Sequence, residues 1–340
     1  MSLSRTLFPI AALAATALTL TACSTPAADD STGGDDKVSI ALVRQLGSGD
    51  YFEQWLAGAQ SQADELGVEL SVYNGSDDRA QQALDIESAI NEGVDAIVVD
   101  HGFAETVQPG IAAALDADIP VVAFDVDAGD DRAISVTQSD EVLAEQVLGA
   151  LVEDTAGEAD VIYVYVAGFA PLDNRNVVWE SVKGENPGLN QVAQIGVVND
   201  STASEVSNQA KAALQANPGV TAIFAPYDEF AKGATLAIQE LGLEDTVKVY
   251  GADISTADIE VITADGSPWV ATAATDPANV GAVTIRAAYL AATGAPVEAG
   301  YSIPPTLILQ ADLLAKKVTT IQGLTEAFPE LKTPDVAQVG

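Results

Sequence analysis

The chain has 340 residues, 48% of them hydrophobic, and 50 acidic against 14 basic side chains give a formal charge of −36. Ample apolar content supports a buried core, while a surface this acidic repels phosphate backbones and argues against nucleic acid as a partner. One cysteine leaves no intrachain disulfide and one histidine cannot build a zinc site, so neither a metal nor a cofactor is expected.

At the N-terminus, Arg5 supplies a short positive segment and Leu7 to Leu20 an apolar run, closed by the small residues Thr21 and Ala22 before Cys23. The run is shorter than the about 20 apolar residues of a membrane span and is interrupted by Pro9, Thr16 and Thr19. Leu20-Thr21-Ala22-Cys23 resembles the lipobox of bacterial lipoproteins. That resemblance implies a signal peptide over residues 1–22 and a lipid on Cys23, which would anchor the chain to the outer face of the cytoplasmic membrane. Residues 23–36 contain only small, turn-forming or acidic types after the cysteine and read as a flexible tether.

From Lys37 the pattern changes. Val38 to Val43 is a near-continuous apolar run, as in a strand buried on both faces of a parallel sheet. Tyr51 to Leu66 places Phe52, Trp55, Leu56, Ala59 and Ala63 at helical spacing, with Gly67 where a helix-ending glycine belongs. Glu69 to Tyr73 reads as a strand, Ala80 to Asn91 as a helix, and Ala96 to Val99 and Val121 to Phe124 as further strands. This alternation predicts an α/β fold with a doubly wound parallel sheet.

A weak internal repeat extends the prediction. Asn91-Glu-Gly-Val-Asp-Ala-Ile97 reappears as Asn217-Pro-Gly-Val-Thr-Ala-Ile223, and each copy leads to a strand ending in aspartate, Asp125 and Asp253. The spacing predicts two similar lobes with these aspartates at equivalent strand ends, where open α/β sheets bind their ligands. Facing lobes would then form a cleft with one carboxylate on each wall.

The order of several segments resembles ribose-type periplasmic sugar-binding proteins. Among them are Ile40-Ala-Leu-Val43, Tyr51-Phe52, Gly58-Ala-Gln60, Gly93-Val-Asp-Ala-Ile97, Ile119-Pro-Val-Val122, Ile223-Phe-Ala-Pro-Tyr-Asp-Glu229 and Gly251-Ala-Asp253. The resemblance runs from about Lys37 to Leu309. It implies a periplasmic binding protein type I fold, with two lobes joined by a three-strand hinge near Ser139, Thr275–Asp276 and Pro305. The first lobe would comprise residues 37–138 and 276–305, the second residues 139–275 and 306–340. The implied function is solute capture for an ABC importer: a monomeric receptor closing on a small neutral sugar or polyol and delivering it to permease subunits.

Candidate ligand-binding residues follow from chemistry beside the resemblance. Tyr51 and Phe52 match the family's stacking pair; Phe52 suits core packing equally, whereas amphipathic Tyr51 favours a pocket. Asp125 and Asp253 match its carboxylates, each able to accept hydrogen bonds from two adjacent hydroxyls, although a strand-end aspartate can also serve as a cap. Gln45 occupies the first strand–helix loop, and Asp173 and Arg175 share the loop in which the family carries an arginine aimed at the sugar. Direct alignment places Asp173 at that position and Arg175 two residues on. Ser201, Tyr227 and Thr275 align with further contact positions. Val126 stands where the ribose receptor has arginine, which argues against ribose itself.

Other functions find less support. The acidic inventory leaves room for an amine-bearing sugar, and the same fold could serve as a cell-surface receptor for a furanosyl signal molecule. Gly47-Ser-Gly49 begins like a dinucleotide fingerprint, but Phe52 replaces the third glycine. A calcium loop starting at Asp125 fails at Asp130 and Val136. His101 reads as an ordinary loop residue, and no nucleophile has an activating context, so an enzyme is not expected. Transcription regulators of the LacI type share the fold, but no DNA-reading helices precede Lys37.

Overall fold

Strands and helices alternate along residues 37–74 and 77–339, the part of the chain described by the computed structural model. Cys23 and the tether lie outside the described residues. The first series is β1 (Ser39–Arg44), α1 (Asp50–Leu66), β2 (Glu69–Asn74), α2 (Arg79–Glu92), β3 (Ala96–Asp100), α3 (Ala104–Asp116), β4 (Val121–Phe124) and β5 (Ile134–Thr137). The second comprises α4 (Asp140–Thr155), β6 (Glu158–Val164), α5 (Ala170–Glu185), β7 (Gly188–Ile195), α6 (Thr202–Ala216), β8 (Val220–Ala225), α7 (Asp228–Leu241), β9 (Lys248–Ala252), α8 (Thr256–Thr263) and β10 (Trp269–Ala274). α9 (Pro277–Ala292), β11 (Gly300–Ser302), β12 (Thr306–Leu309), α10 (Gln310–Lys316) and α11 (Ile321–Ala327) complete it.

Two six-stranded sheets result, ordered β11-β5-β4-β3-β1-β2 and β12-β10-β9-β8-β6-β7. All pairings are parallel except β10 with β12. The near-continuous apolar strands are explained by burial on both faces. In the first sheet, Ile40, Leu42, Ala96 and Val98 share a core with Trp55 and Val280 of α1 and α9, while Ala41, Val43, Ile97 and Val99 pack with Ile86, Val107 and Ile111 of α2 and α3. The second sheet repeats this division: Ile162, Val164 and Ile223 meet Val206, Phe230 and Ile238, and Val161, Tyr163 and Phe224 meet Leu143, Val147 and Trp179.

Helix crossings depend on glycine at points where backbones nearly touch. A Cβ on Gly281 would lie 2.2 Å from the Trp55 carbonyl oxygen, and one on Gly58 would lie 2.0 Å from that of Ala278. The α1–α9 crossing therefore has no room for side chains at either position. Gly233 serves the α6–α7 crossing, where a Cβ would approach the Ala203 carbonyl to 2.5 Å.

The chain passes between the sheets after β5, after β10 and between β11 and β12. These crossings are laced together. Ser139 Oγ lies 2.6 Å from Ser302 Oγ and donates to the Ile303 carbonyl, and the Ile303 amide donates to the Thr137 carbonyl. Thr275 Oγ1 donates to Gln138 Oε1 at 2.7 Å. The C-terminal residues then return to the first sheet's side: Asn279 of α9 donates to Thr333 Oγ1, and Arg286 to the Val336 carbonyl.

Candidate functional site

The repeat seen in the sequence appears as matching backbone geometry. Asp125 follows β4 and Asp253 follows β9, the strands that hold equivalent places in the two sheet orders. Both residues are left-handed, with φ of 48° and 67°. The Asp125 amide donates to the Val136 carbonyl at 3.0 Å and the Asp253 amide to Ala273 at 2.9 Å, each reaching the next strand of its sheet. Aspartate tolerates this conformation better than most residues, and it turns each chain away at the carboxyl end of the sheet.

Between the lobes lies a cleft with about 420 Å³ of atom-free space, partly open to solvent. Of the residues expected at the site, Tyr51, Phe52, Arg175, Tyr227 and Asp253 line it. Leu46, Phe169, Pro171, Leu172 and Val198 add an apolar wall, and His101 and Gln138 add polar groups. Phe52 packs edge-on to Tyr51 and to His101, with ring centroids 5.6 and 5.1 Å apart. It thus serves both core and cleft.

Arg175 is 2% exposed and fully engaged. Its guanidinium spans Asp140 at 2.9 Å and Asp253 at 3.0 Å and donates to the Pro226 carbonyl at 2.8 Å. Burial works against its charge, but the carboxylates of Asp253 and Asp140 outweigh burial and raise its pKa. For Asp253 the balance reverses: burial exceeds the help from Arg175, and the carboxyl titrates above its ordinary value. Asp125 is also raised, to about 7, by burial and by the Asp140 charge, against His101, Arg175 and the Gln138 hydrogen bond. Among the described residues, Asp125 Oδ1 and Tyr51 Oη are buried without a hydrogen-bond partner. Buried polar atoms in that condition call for one. Burial and the charges of Asp125 and Asp253 hold the Tyr51 phenol well above its usual pKa, so it remains a donor.

The remaining expected residues do not line the cleft. Asp125 sits just behind the wall, accepting from Gln138 Nε2 at 3.3 Å and lying 4.0 Å from His101 Nε2. Gln45 is buried and donates to Asp77. Asp173 accepts from Tyr165 Oη at 2.6 Å and from the Gly168 amide, which closes the turn before α5. Residues two apart on a helix point away from one another, so only one of Asp173 and Arg175 can face the cleft, and it is Arg175. Ser201 is exposed before α6, its amide held by Asn199 Oδ1. Thr275 is spent on Gln138 at a crossing. Val126 joins the core behind the first sheet, as an apolar side chain should.

Sequence reasoning set His101 aside as an ordinary loop residue and did not single out Gln138. His101 Nδ1 lies 2.6 Å from Asp100 Oδ1, and Asp100 Oδ2 accepts from Arg44 Nε at 2.8 Å. Burial pushes Asp100 up, yet the His101 hydrogen bond and the Arg44 charge hold it below its ordinary value. These groups meet through strand pairing of β1 with β3, a long-range contact that the spacing of the residues does not advertise.

Contacts cross the mouth of the cleft. Ser48 Oγ donates to Asp200 at 2.7 Å, Lys232 Nζ pairs with Asp50 at 2.6 Å, and the rings of Phe103 and Phe169 lie 4.6 Å apart.

Two parallel-sheet lobes facing across a cleft lined by aromatic rings and the buried Arg175–Asp253 pair define a binding protein of the periplasmic type I fold. The chain belongs to the periplasmic binding protein domain family, which matches residues 40–296. It is 30% identical to the ribose import binding protein of Salmonella typhimurium over 276 residues, 81% of this chain and 91% of that one. A 5-methylthioribose transporter solute binding protein from Thermotoga lettingae, solved in complex with 5-methylthioribose, is 42% identical with a TM-score of 0.85, covering 86% of this chain and 93% of its own. A sugar ABC transporter structure from Yersinia enterocolitica is 28% identical with the same TM-score of 0.85, over 88% of this chain and 92% of that one. Proteins of this family work outside the cytoplasm, and among the described residues no helix is long and apolar enough to cross a membrane.

Proposed function

We propose that this chain is the solute-binding component of an ABC importer, capturing a monosaccharide or sugar alcohol between its lobes and delivering it to permease subunits. The observation that carries this reading is the cleft itself, lined by Tyr51, Phe52 and Asp253 with Arg175 bridging to Asp253, and with Asp125 at the matched strand end just behind its wall. Acceptors of this kind suit the hydroxyls of a sugar, and Tyr51 and Phe52 offer rings for its C–H face.

Within that class, the ligand is a pentose bearing an apolar substituent, of the 5-methylthioribose kind. Leu46, Phe169, Leu172 and Val198 supply a wall that an unsubstituted polyol would leave without a partner. The 42% identity to the receptor solved with 5-methylthioribose, and Val126 in the core, favour this over ribose. The receptor acts as a monomer held to the membrane by lipid on Cys23; mass spectrometry of the protein from its native membrane should find a diacylglycerol-modified N-terminal cysteine.

Calorimetric titration of residues 37–340 against 5-methylthioribose, pentoses, hexoses and alditols tests the ligand class. Micromolar or tighter binding of 5-methylthioribose, with weaker binding of ribose, is expected. No heat from any sugar or polyol would refute the reading.

A further inference from the structure

His101 stands in the cleft wall with little freedom. Its amide donates to the Phe124 carbonyl at 3.0 Å, and its own carbonyl accepts from Gln82 Nε2 at 2.9 Å. Its ring packs edge-on between Phe52 and Phe124, both centroids 5.1 Å away. Behind the ring, Asp100 takes Nδ1 and is itself fixed by Arg44, whose second nitrogen donates to the Phe52 carbonyl. The backbone is left-handed, φ 59°, a cost that non-glycine residues seldom bear without compensation. All of these contacts aim one atom, Nε2, at the region of Asp125.

Nε2 lies 4.0 Å from Asp125 Oδ2. That is too far for a direct hydrogen bond, yet one oxygen could sit about 2.8 Å from both. Asp125 Oδ1, buried and without a partner among the described residues, adds a second acceptor at the same place. We propose that His101 and Asp125 form a two-pronged clamp on a single ligand hydroxyl, with Nε2–H donating to its oxygen and the Asp125 carboxylate accepting its proton, and that Arg44 and Asp100 are positioning residues for the clamp. Burial lowers the imidazole's proton affinity, but the Asp100 hydrogen bond and charge, with Asp125 and Asp140, more than restore it, which keeps Nε2–H available. A hydroxyl satisfies both prongs because it donates and accepts; a hydrogen or an ether oxygen at the same carbon satisfies one at most.

The inference rests on the sugar-binding reading. Its test is a cycle of protein and ligand changes, using 5-methylthioribose, D-ribose and their monodeoxy analogues against the wild type, His101→Asn and Asp100→Asn. Asparagine tolerates the left-handed backbone, and circular dichroism and thermal denaturation check that each variant folds. His101→Asn should weaken binding by about 10- to 100-fold, as expected for a lost charge-assisted hydrogen bond. One deoxy analogue should lose at least that much against the wild type and clearly less against His101→Asn, because one of the two partners of its missing hydroxyl is already gone and only Asp125 remains. Asp100→Asn should reproduce part of the loss and shrink the penalty of the same analogue to a value between those of the wild type and His101→Asn. Equal deoxy penalties in wild type and His101→Asn would overturn the clamp while leaving the sugar reading intact. Failure of the wild type to bind any of these sugars would overturn both.

Discussion

Replacing Asp125 by asparagine should stabilise the ligand-free protein at alkaline pH. The carboxyl is 5% exposed, and burial and the Asp140 charge raise it from 3.8 to about 7. A group that binds its proton more tightly in the fold contributes stability that is complete below the unfolded value and is lost as pH rises through the folded one. The window is thus about pH 4 to 7, and the loss across it is about 4 kcal/mol if the full difference is realised. Asparagine carries no charge, retains a carbonyl that can accept from Gln138 Nε2, and tolerates the φ of 48°. Urea denaturation of both proteins from pH 4.5 to 8 isolates the effect. Asp253, Asp228 and Asp258 are also raised by burial, but both proteins share the slope they impose. The difference should grow from near zero in acid to about 2–4 kcal/mol in favour of Asp125→Asn at pH 8, while the variant binds sugar more weakly. Parallel curves over the whole range would refute the assignment of a buried, destabilising carboxylate.

Other sites offer sharper or milder tests. Arg175→Met leaves Asp140 and Asp253 buried beside one another without their counter-charge, and should cost about 3–5 kcal/mol of stability along with detectable sugar binding; urea denaturation reads the first and calorimetry the second. Gly281→Ala forces a methyl against the Trp55 carbonyl and should lower stability by about 1–3 kcal/mol in thermal denaturation without altering the cleft's chemistry. Asp50→Asn breaks one partially exposed ion pair across the mouth while Lys232 keeps Glu229 and Asp258, so affinity should fall only a few-fold, by about 0.5–1 kcal/mol, and depend less on salt.

Much of the architecture was legible because it is written in short-range patterns. The apolar run of β1, the helical spacing of α1 and the glycine at its end depend on neighbours in sequence. The repeat pointed to Asp125 and Asp253 for the same reason: each closes a strand whose predecessor carries a similar string. Residues whose roles depend on loop register were harder to place. Asp173 and Arg175 share one loop in the linear chain, and only the start of α5 at Ala170 decides which faces inward. Ser201 and Thr275 aligned with contact positions, yet one is exposed before α6 and the other is bonded to Gln138 at a crossing. The bonding of Arg44 through Asp100 to His101 was not legible, because strand pairing brings Arg44 to Asp100 from 56 residues away. Phe169, Leu172 and Val198 carry no signal either, since a cleft wall and a core draw on the same apolar residues.

A crystal structure of the protein with the sugar it retains on purification tests the central claim most directly. Density for one small polyhydroxylated molecule between the lobes, with hydroxyls within hydrogen-bond distance of both Asp125 and Asp253, is the result this account predicts. A ligand bound elsewhere, or one in the cleft that touches neither aspartate, would contradict it.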